Sequence, residues 1–208
     1  MNLFYRGLDF LSSVRHDAFG RTGKRRVMVL EGCGTLVVWD GELVQGIGGR
    51  VSGLFKTSPI PELIAKIGEE NIVNPKTAEI NQIKGIKLAI KKGFKNIAVT
   101  IAVAGDAKEI KKLQKEHPDT NIYVFVVHTT KKSAKEAREL FDISDVATAC
   151  ASKNIREIAE AKCIKTVGQS IPIYARTEMG KKFLEMRLAK IGGEKPKKDN
   201  PDLPYPMI

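Results

Sequence analysis

Cysteine, histidine and aromatic residues are scarce in this chain, and each scarcity removes a class of chemistry. The 208 residues include three cysteines, Cys33, Cys150 and Cys163, with no C-x-x-C spacing and one left over from any pairing. That argues against a disulfide framework and against a four-thiolate zinc or iron–sulfur site. The three histidines, His16, His117 and His128, lie far apart in sequence, so their spacing points to no metal. Aromatics make up 6% of the chain, and neither RNA-recognition aromatics nor a zinc finger is present. No apolar run approaches the ~18 residues that a membrane-spanning helix needs. The first twenty residues lack a cleavage-site pattern, so the expectation is a cytoplasmic protein with no membrane partner.

What the chain does have is lysine, isoleucine, glutamate and a formal net charge of +11. Lysine-rich stretches mixed with glutamate carry most of this excess, and the one tight basic cluster is RTGKRR, residues 21–26. Such a surface resembles that of a heat-adapted proteome, where ion pairs multiply. RNA binding through residues 21–26 and the lysine faces is the less favoured alternative, and it predicts a steep loss of affinity with salt.

Hydrophobic periodicity organises the chain. Residues 1–20 read as an amphipathic helix, and residues 27–30 and 35–39 as two strands hinged at Gly32, Cys33 and Gly34. A short helix starts at Pro61, and a longer one is expected over residues 74–93, stopped by Gly93. From there strands at 96–104, 121–129, 145–151 and 164–175 alternate with helices. The last helix is expected to start after Thr177 as its N-cap. Strands apolar throughout, alternating with amphipathic helices, predict an α/β fold of three layers. Its sheet would be mainly parallel with helices on both faces, and the N-terminal β-hairpin and a glycine-rich loop would sit at one end. Residues 1–193 form one expected domain. Residues 194–208 are rich in proline and form an extended tail, an arm available for homo-oligomer contacts.

The glycine-rich stretch, residues 43–61, is the first candidate site. The dinucleotide fingerprint G-x-G-x-x-G fails because Val51 stands where its third glycine is needed. A Walker loop fails at Arg25, where serine or threonine must bind magnesium. A subtler site remains. Gly46, Gly48 and Gly49 would let successive amides cradle an anion, with Arg50 as a clamp and Ser52, Thr57 and Ser58 as hydroxyl donors. The alternative is an ordinary glycine-hinged turn.

Elsewhere, His128 closes a strand at the carboxyl edge of the expected sheet, where it could serve acid–base work or cap the next helix. Gly105 and Asp106 end the preceding strand at the same level, and Asp106 is first an expected helix cap. Cys33 beside Glu31 reads as a small apolar turn residue, because a neighbouring carboxylate does not activate a thiol. Cys150 reads as core packing. Glu31 and His128 are the nearest candidates for proton transfer.

The segments containing Glu31, Gly32, Cys33, Gly34 and Thr35, then residues 43–54, 57–62 and 74–82, resemble the archaeal family called methanogenesis marker protein 8. That family carries D/E-G-x-G-T, then L-V-Q-G-I-G-G-R-x-S-G-L, T-x-P-I-P-E and D/N-P-x-T-A-x-I-x-Q, followed by an I-A-V-T strand. The chain begins near what would be the middle of that pattern, so a preceding segment is expected to be missing or the chain to be a short paralogue. The resemblance implies a methanogen-type cytoplasm and an undetermined activity. The expected function is binding of an anionic small ligand, phosphorylated or carboxylated, over residues 46–58, with no cofactor named by the residues. A non-catalytic accessory role in a methanogenesis protein complex, such as methyl-coenzyme M reductase maturation, is the alternative.

Overall fold

The structure is a computed structural model, and it describes residues 26–50, 56–194, 196 and 203–208. The expected N-terminal helix and most of the basic cluster lie outside the described residues. Seven strands form one sheet in the order β2-β1-β3-β4-β5-β7-β6. Strands β1 (Arg26–Gly32), β3 (Asn96–Ile101), β4 (Asn121–Val126) and β5 (Val146–Thr148) run parallel. Strand β2 (Gly34–Val38) returns antiparallel on β1, and β7 (Ile173–Ala175) pairs antiparallel with both β5 and β6 (Lys165–Val167).

Among the described residues seven α-helices cover the two faces of this sheet. Helices α3 (Gln82–Lys91), α4 (Asp106–Glu116), α5 (Ala134–Ile143) and α6 (Lys153–Lys162) bury Ile86, Ile110, Leu140 and Ile155 against Val29, Ile97, Val99 and Val124. On the other face, α1 (Gly41–Arg50), α2 (Pro61–Ile67) and α7 (Glu178–Ile191) bury Val44, Ile47, Ile67 and Phe183 against Met28, Leu30, Ala98 and Phe125. Neighbouring strand residues therefore feed opposite cores, as the alternation of side chains along a strand requires. The three-layer α/β expectation holds, and the parallel pairing of β1, β3, β4 and β5 brings their carboxyl ends to one edge.

Three expectations need correction. The first is the glycine-rich loop. Over residues 41–50 the chain is helix α1, and a side-chain oxygen of Asp40 accepts from the amides of Glu42 and Leu43 at 2.9 Å each. Glycines cost a helix roughly 1 kcal/mol each. A capped first turn offsets about one of these, and burying Val44 and Ile47 at helical spacing offsets the rest at roughly 1.5–3 kcal/mol per side chain. Tertiary burial here outweighs local propensity.

The second is the long helix expected over 74–93, which begins only at Gln82. Asn74 closes a turn with its side chain on the amides of Lys76 and Thr77, and Ala78 takes a φ of 51° that no helix tolerates. Asn81 then caps the true start by accepting from the Lys84 amide. The same segment seals the hairpin. Gly34, at φ 97°, lies so close to the Ala78 backbone that a Cβ would meet it at 2.9 Å.

The third is the single extended piece at 164–175. It is two short strands, broken at Gly168 with φ 82°, and they fold into an antiparallel hairpin on the end of the sheet. The end of the tail bonds to its own chain, with the Ile208 amide donating to the Ala151 carbonyl at 2.9 Å.

Candidate functional site

Three adjacent parallel strands, β1, β3 and β4, end at the same edge, and a cavity of about 150 Å³ opens there. Its lining comes from Glu31 on β1, Ala102 and Val103 after β3, and His128 after β4. Ile80, Asn81 and Gln82 at the start of α3 and Asp106 at the start of α4 complete it. In open α/β sheets this carboxyl edge is where ligands bind, because the loops there are freed from the sheet and the helix amino ends point in.

Beneath the cavity runs a chain of buried polar side chains from separate parts of the sequence. The Thr35 hydroxyl donates to Gln82 Oε1 at 2.7 Å and accepts from the Asn81 amide at 2.7 Å. Gln82 Nε2 donates to the carbonyl and the hydroxyl of Thr100, at 2.8 and 2.9 Å. Thr100 in turn donates to Glu31 Oε2 at 2.8 Å. Thr35, Gln82, Thr100 and Glu31 are all at most 5% exposed. A buried polar group without partners costs about 1–3 kcal/mol, so a fully connected chain of this kind locks its members in place.

The electrostatics of the cavity follow from burial. Glu31 is held above the ordinary carboxylate range by desolvation, which the Thr100 hydrogen bond only partly offsets. Asp106 is also pushed up by desolvation. His128 is pushed down, first by burial and then by the Lys132 ammonium. Two carboxyls biased towards the acid form and an imidazole biased towards the neutral form border one space. Perturbed groups converging on a cavity are what proton-transfer sites look like. His128 also holds a φ of 53°, and Lys131 and Cys150 on the same edge hold 63° and 48°. Backbone of this kind is costly for residues with a Cβ and tends to gather at functional sites.

Of the residues singled out in the sequence, Glu31, His128 and Asp106 are brought together, while Gly46, Thr57 and Ser58 are not among the described residues that line the cavity. Gly46, Gly48, Gly49 and Arg50 lie in the second half of α1, whose end offers carbonyl oxygens rather than free amides. Ser52 lies outside the described residues. Thr57 is half-buried with its hydroxyl donating to the Ser58 carbonyl at 3.5 Å, and Ser58 is exposed. Gly105 is the N-cap of α4 without a side-chain cap, and Asp106 is the first helical residue. Cys33 is fully buried, its thiol pushed up by desolvation, as an apolar turn residue should be. Cys150 is buried and its carbonyl accepts from Arg156 at 3.0 Å.

Sequence reasoning missed Thr35, Gln82 and Thr100 as site residues, although a signal was present. Each sits inside one of the motif segments quoted above, and the fold folds those three segments onto each other. Among the described residues there is no group of three or more His, Cys, Asp or Glu side chains able to hold a metal. No described helix is long and apolar enough to cross a membrane.

Comparison with known proteins places the chain in a family. Over 160 residues it is 42% identical to an uncharacterized protein of Methanocaldococcus jannaschii, which covers 76% of this chain and 56% of that protein. The chain thus spans 56% of the length of this curated relative. No solved structure matches it. Residues 24–189, which include all but one of the strands' and helices' outermost residues, match the family described as uncharacterized protein conserved in archaea (DUF2099), and the chain belongs to that family.

Proposed function

We propose that this protein binds a small polar molecule in the cavity at the carboxyl ends of β1, β3 and β4, and that Glu31 and His128 carry any proton transfer to or from it. The observation behind this reading is the convergence of Glu31, Gln82, Asp106 and His128, from four separate segments, on one space. The anionic ligand first expected over residues 46–58 has less support, since helix α1 turns its carbonyl end towards that stretch. Relocated to the cavity, a carboxylated or phosphorylated ligand meets carboxyls biased towards their acid form rather than a basic clamp.

The resemblance to methanogenesis marker protein 8 extends the proposal. In it, the ligand is a small molecule or cofactor handled in a methanogen's cytoplasm, and the alternative is a non-catalytic accessory to methyl-coenzyme M reductase maturation. The cavity favours the first, because an accessory that only docks needs no buried titratable groups facing open space.

The test is native mass spectrometry of the purified chain for a retained small molecule. Amide NMR during titration with phosphate, acetate and acetamide accompanies it. Shifts at Gln82, Asp106 and His128 support the cavity. Shifts confined to Thr57 and Ser58 restore the glycine-stretch site. No retained mass and no shifts leave the accessory reading standing.

A further inference from the structure

The hydrogen-bond chain under the cavity has only one consistent direction, and that direction says which oxygen of Glu31 carries a proton. Gln82 Oε1 can only accept, so Thr35 must donate to it. Gln82 Nε2 can only donate, so the Thr100 oxygen receives a proton from it and must spend its own hydroxyl proton elsewhere. Glu31 Oε2, at 2.8 Å, is the near acceptor, while the Val29 carbonyl is 3.4 Å away. The opposite orientation of the Gln82 amide would leave the Thr35 proton and the Thr100 carbonyl without their bonds, so the network itself excludes it. Oε2 is therefore the oxygen that accepts from Thr100, and Oε1 is the one without a side-chain donor on the carboxyl that lines the cavity, the Glu31 amide being the carboxyl's other hydrogen-bond partner.

Burial settles what Oε1 holds. Glu31 is 4% exposed, and among the described residues no lysine or arginine pairs with it. A buried carboxylate without a cation is far more costly than the neutral acid. The other titratable groups facing the cavity are Asp106 from α4 and His128 from the loop after β4, with Lys132 of the same loop acting on His128. None of them supplies a cation against Glu31.

We propose that Glu31 enters the cavity as a neutral carboxylic acid, its proton on Oε1, donating a hydrogen bond to an oxygen acceptor of the ligand (a carbonyl, carboxylate or phosphoryl oxygen), with Thr35, Gln82 and Thr100 as positioning residues. This rests on the cavity being the ligand site, and it adds the ligand's chemistry: the atom it presents to Glu31 is an acceptor. Thr100 keeps that oxygen facing the ligand and steadies the carboxylate should the proton leave.

Carboxyl-carbon NMR on the full chain with labelled glutamate, assigned with Glu31→Gln, tests it directly. In the unmodified protein Glu31 should stay protonated at pH values where the surface glutamates are ionised. Thr100→Val should raise its midpoint further, by roughly one to two pH units, since a hydrogen bond to the charged form is lost. Acetamide, a neutral carbonyl probe, should bind roughly ten-fold more weakly above the Glu31 midpoint than below it. In Glu31→Gln, whose amide still donates, that pH dependence should vanish while binding remains. Glu31 titrating with the surface glutamates overturns the proton placement, whether or not the probe binds. A high midpoint with no perturbation of the cavity by acetamide or phosphate overturns the donor role and the ligand-site reading together.

Discussion

Two desolvated carboxyls, the half-buried Asp145 and the buried Glu31, sit at opposite ends of the parallel strands and differ in how completely they are satisfied. Asp145, just before β5, gives one oxygen to the Val124 amide at 2.8 Å and the other to the Thr177 hydroxyl at 2.6 Å, with the Arg176 charge nearby. Helix α7 is clamped onto it, so close that a Cβ on Gly180 would meet the Asp145 carbonyl oxygen at 2.0 Å. Glu31 has one side-chain donor, no described cation and a cavity beside it. Burial raises both carboxyls. The first is architecture, a carboxyl used up by its neighbours. The second is held in place and left with unused capacity, as a site that must meet a ligand requires.

Substitutions at the two ends should therefore differ in sign as well as size. Gly180→Ala is expected to cost about 3 kcal/mol or more, because neither α7 nor the Asp145 backbone can yield 1 Å without unpacking Phe183 from Tyr123 and Phe125. Denaturant unfolding measures it. Asp145→Ala should cost about 2 kcal/mol by stranding the Val124 amide and Thr177, in the same assay.

Glu31→Gln should act in the other direction. Its folded pKa lies above the ordinary 4.5, so as pH rises the unfolded chain loses this proton first and Glu31 costs stability from that range upward to its folded value. Removing the ionisable group should gain about 1 kcal/mol at neutral pH, seen as a raised melting temperature with a flatter pH profile. The remaining slope should carry the sign of His128. Its folded pKa lies below the ordinary 6.5, so stability is lost as pH falls from there towards the folded value. The smallest effect is at the strained edge. Lys131 is exposed at φ 63°, and Lys131→Gly should gain ~0.5 kcal/mol in thermal melts by relieving its left-handed backbone.

Much of the architecture was legible in the sequence, and the parts that were not share a cause. Strands such as β3 and helices such as α5, with its Ser133–Glu136 capping box, announce themselves because apolar spacing and caps are local signals. Thr177 was found as a cap for the same reason, and its side chain does accept from the Gly180 amide. Helix α1 was missed because its glycines speak for a loop, and only the burial of Val44 and Ile47 speaks for a helix. The break at Ala78 was missed because the apolar period runs on through it. At the candidate site, Glu31, Asp106 and His128 were visible as titratable residues at strand ends. Gln82 and Thr100 were not, since a neutral amide and a hydroxyl acquire their role from partners 18 and 69 residues away.

By itself, then, the sequence determined the layer architecture, the alternation of strand and helix, and which chain ends face the carboxyl edge. Those follow from periodicity and chain handedness, which are properties of neighbouring residues. Only the tertiary structure decided that residues 43–50 of the glycine stretch belong to a helix and that Thr35, Gln82 and Thr100 meet under Glu31. Burial and hydrogen-bond direction are set by residues distant in sequence, and they exist only once the sheet has assembled.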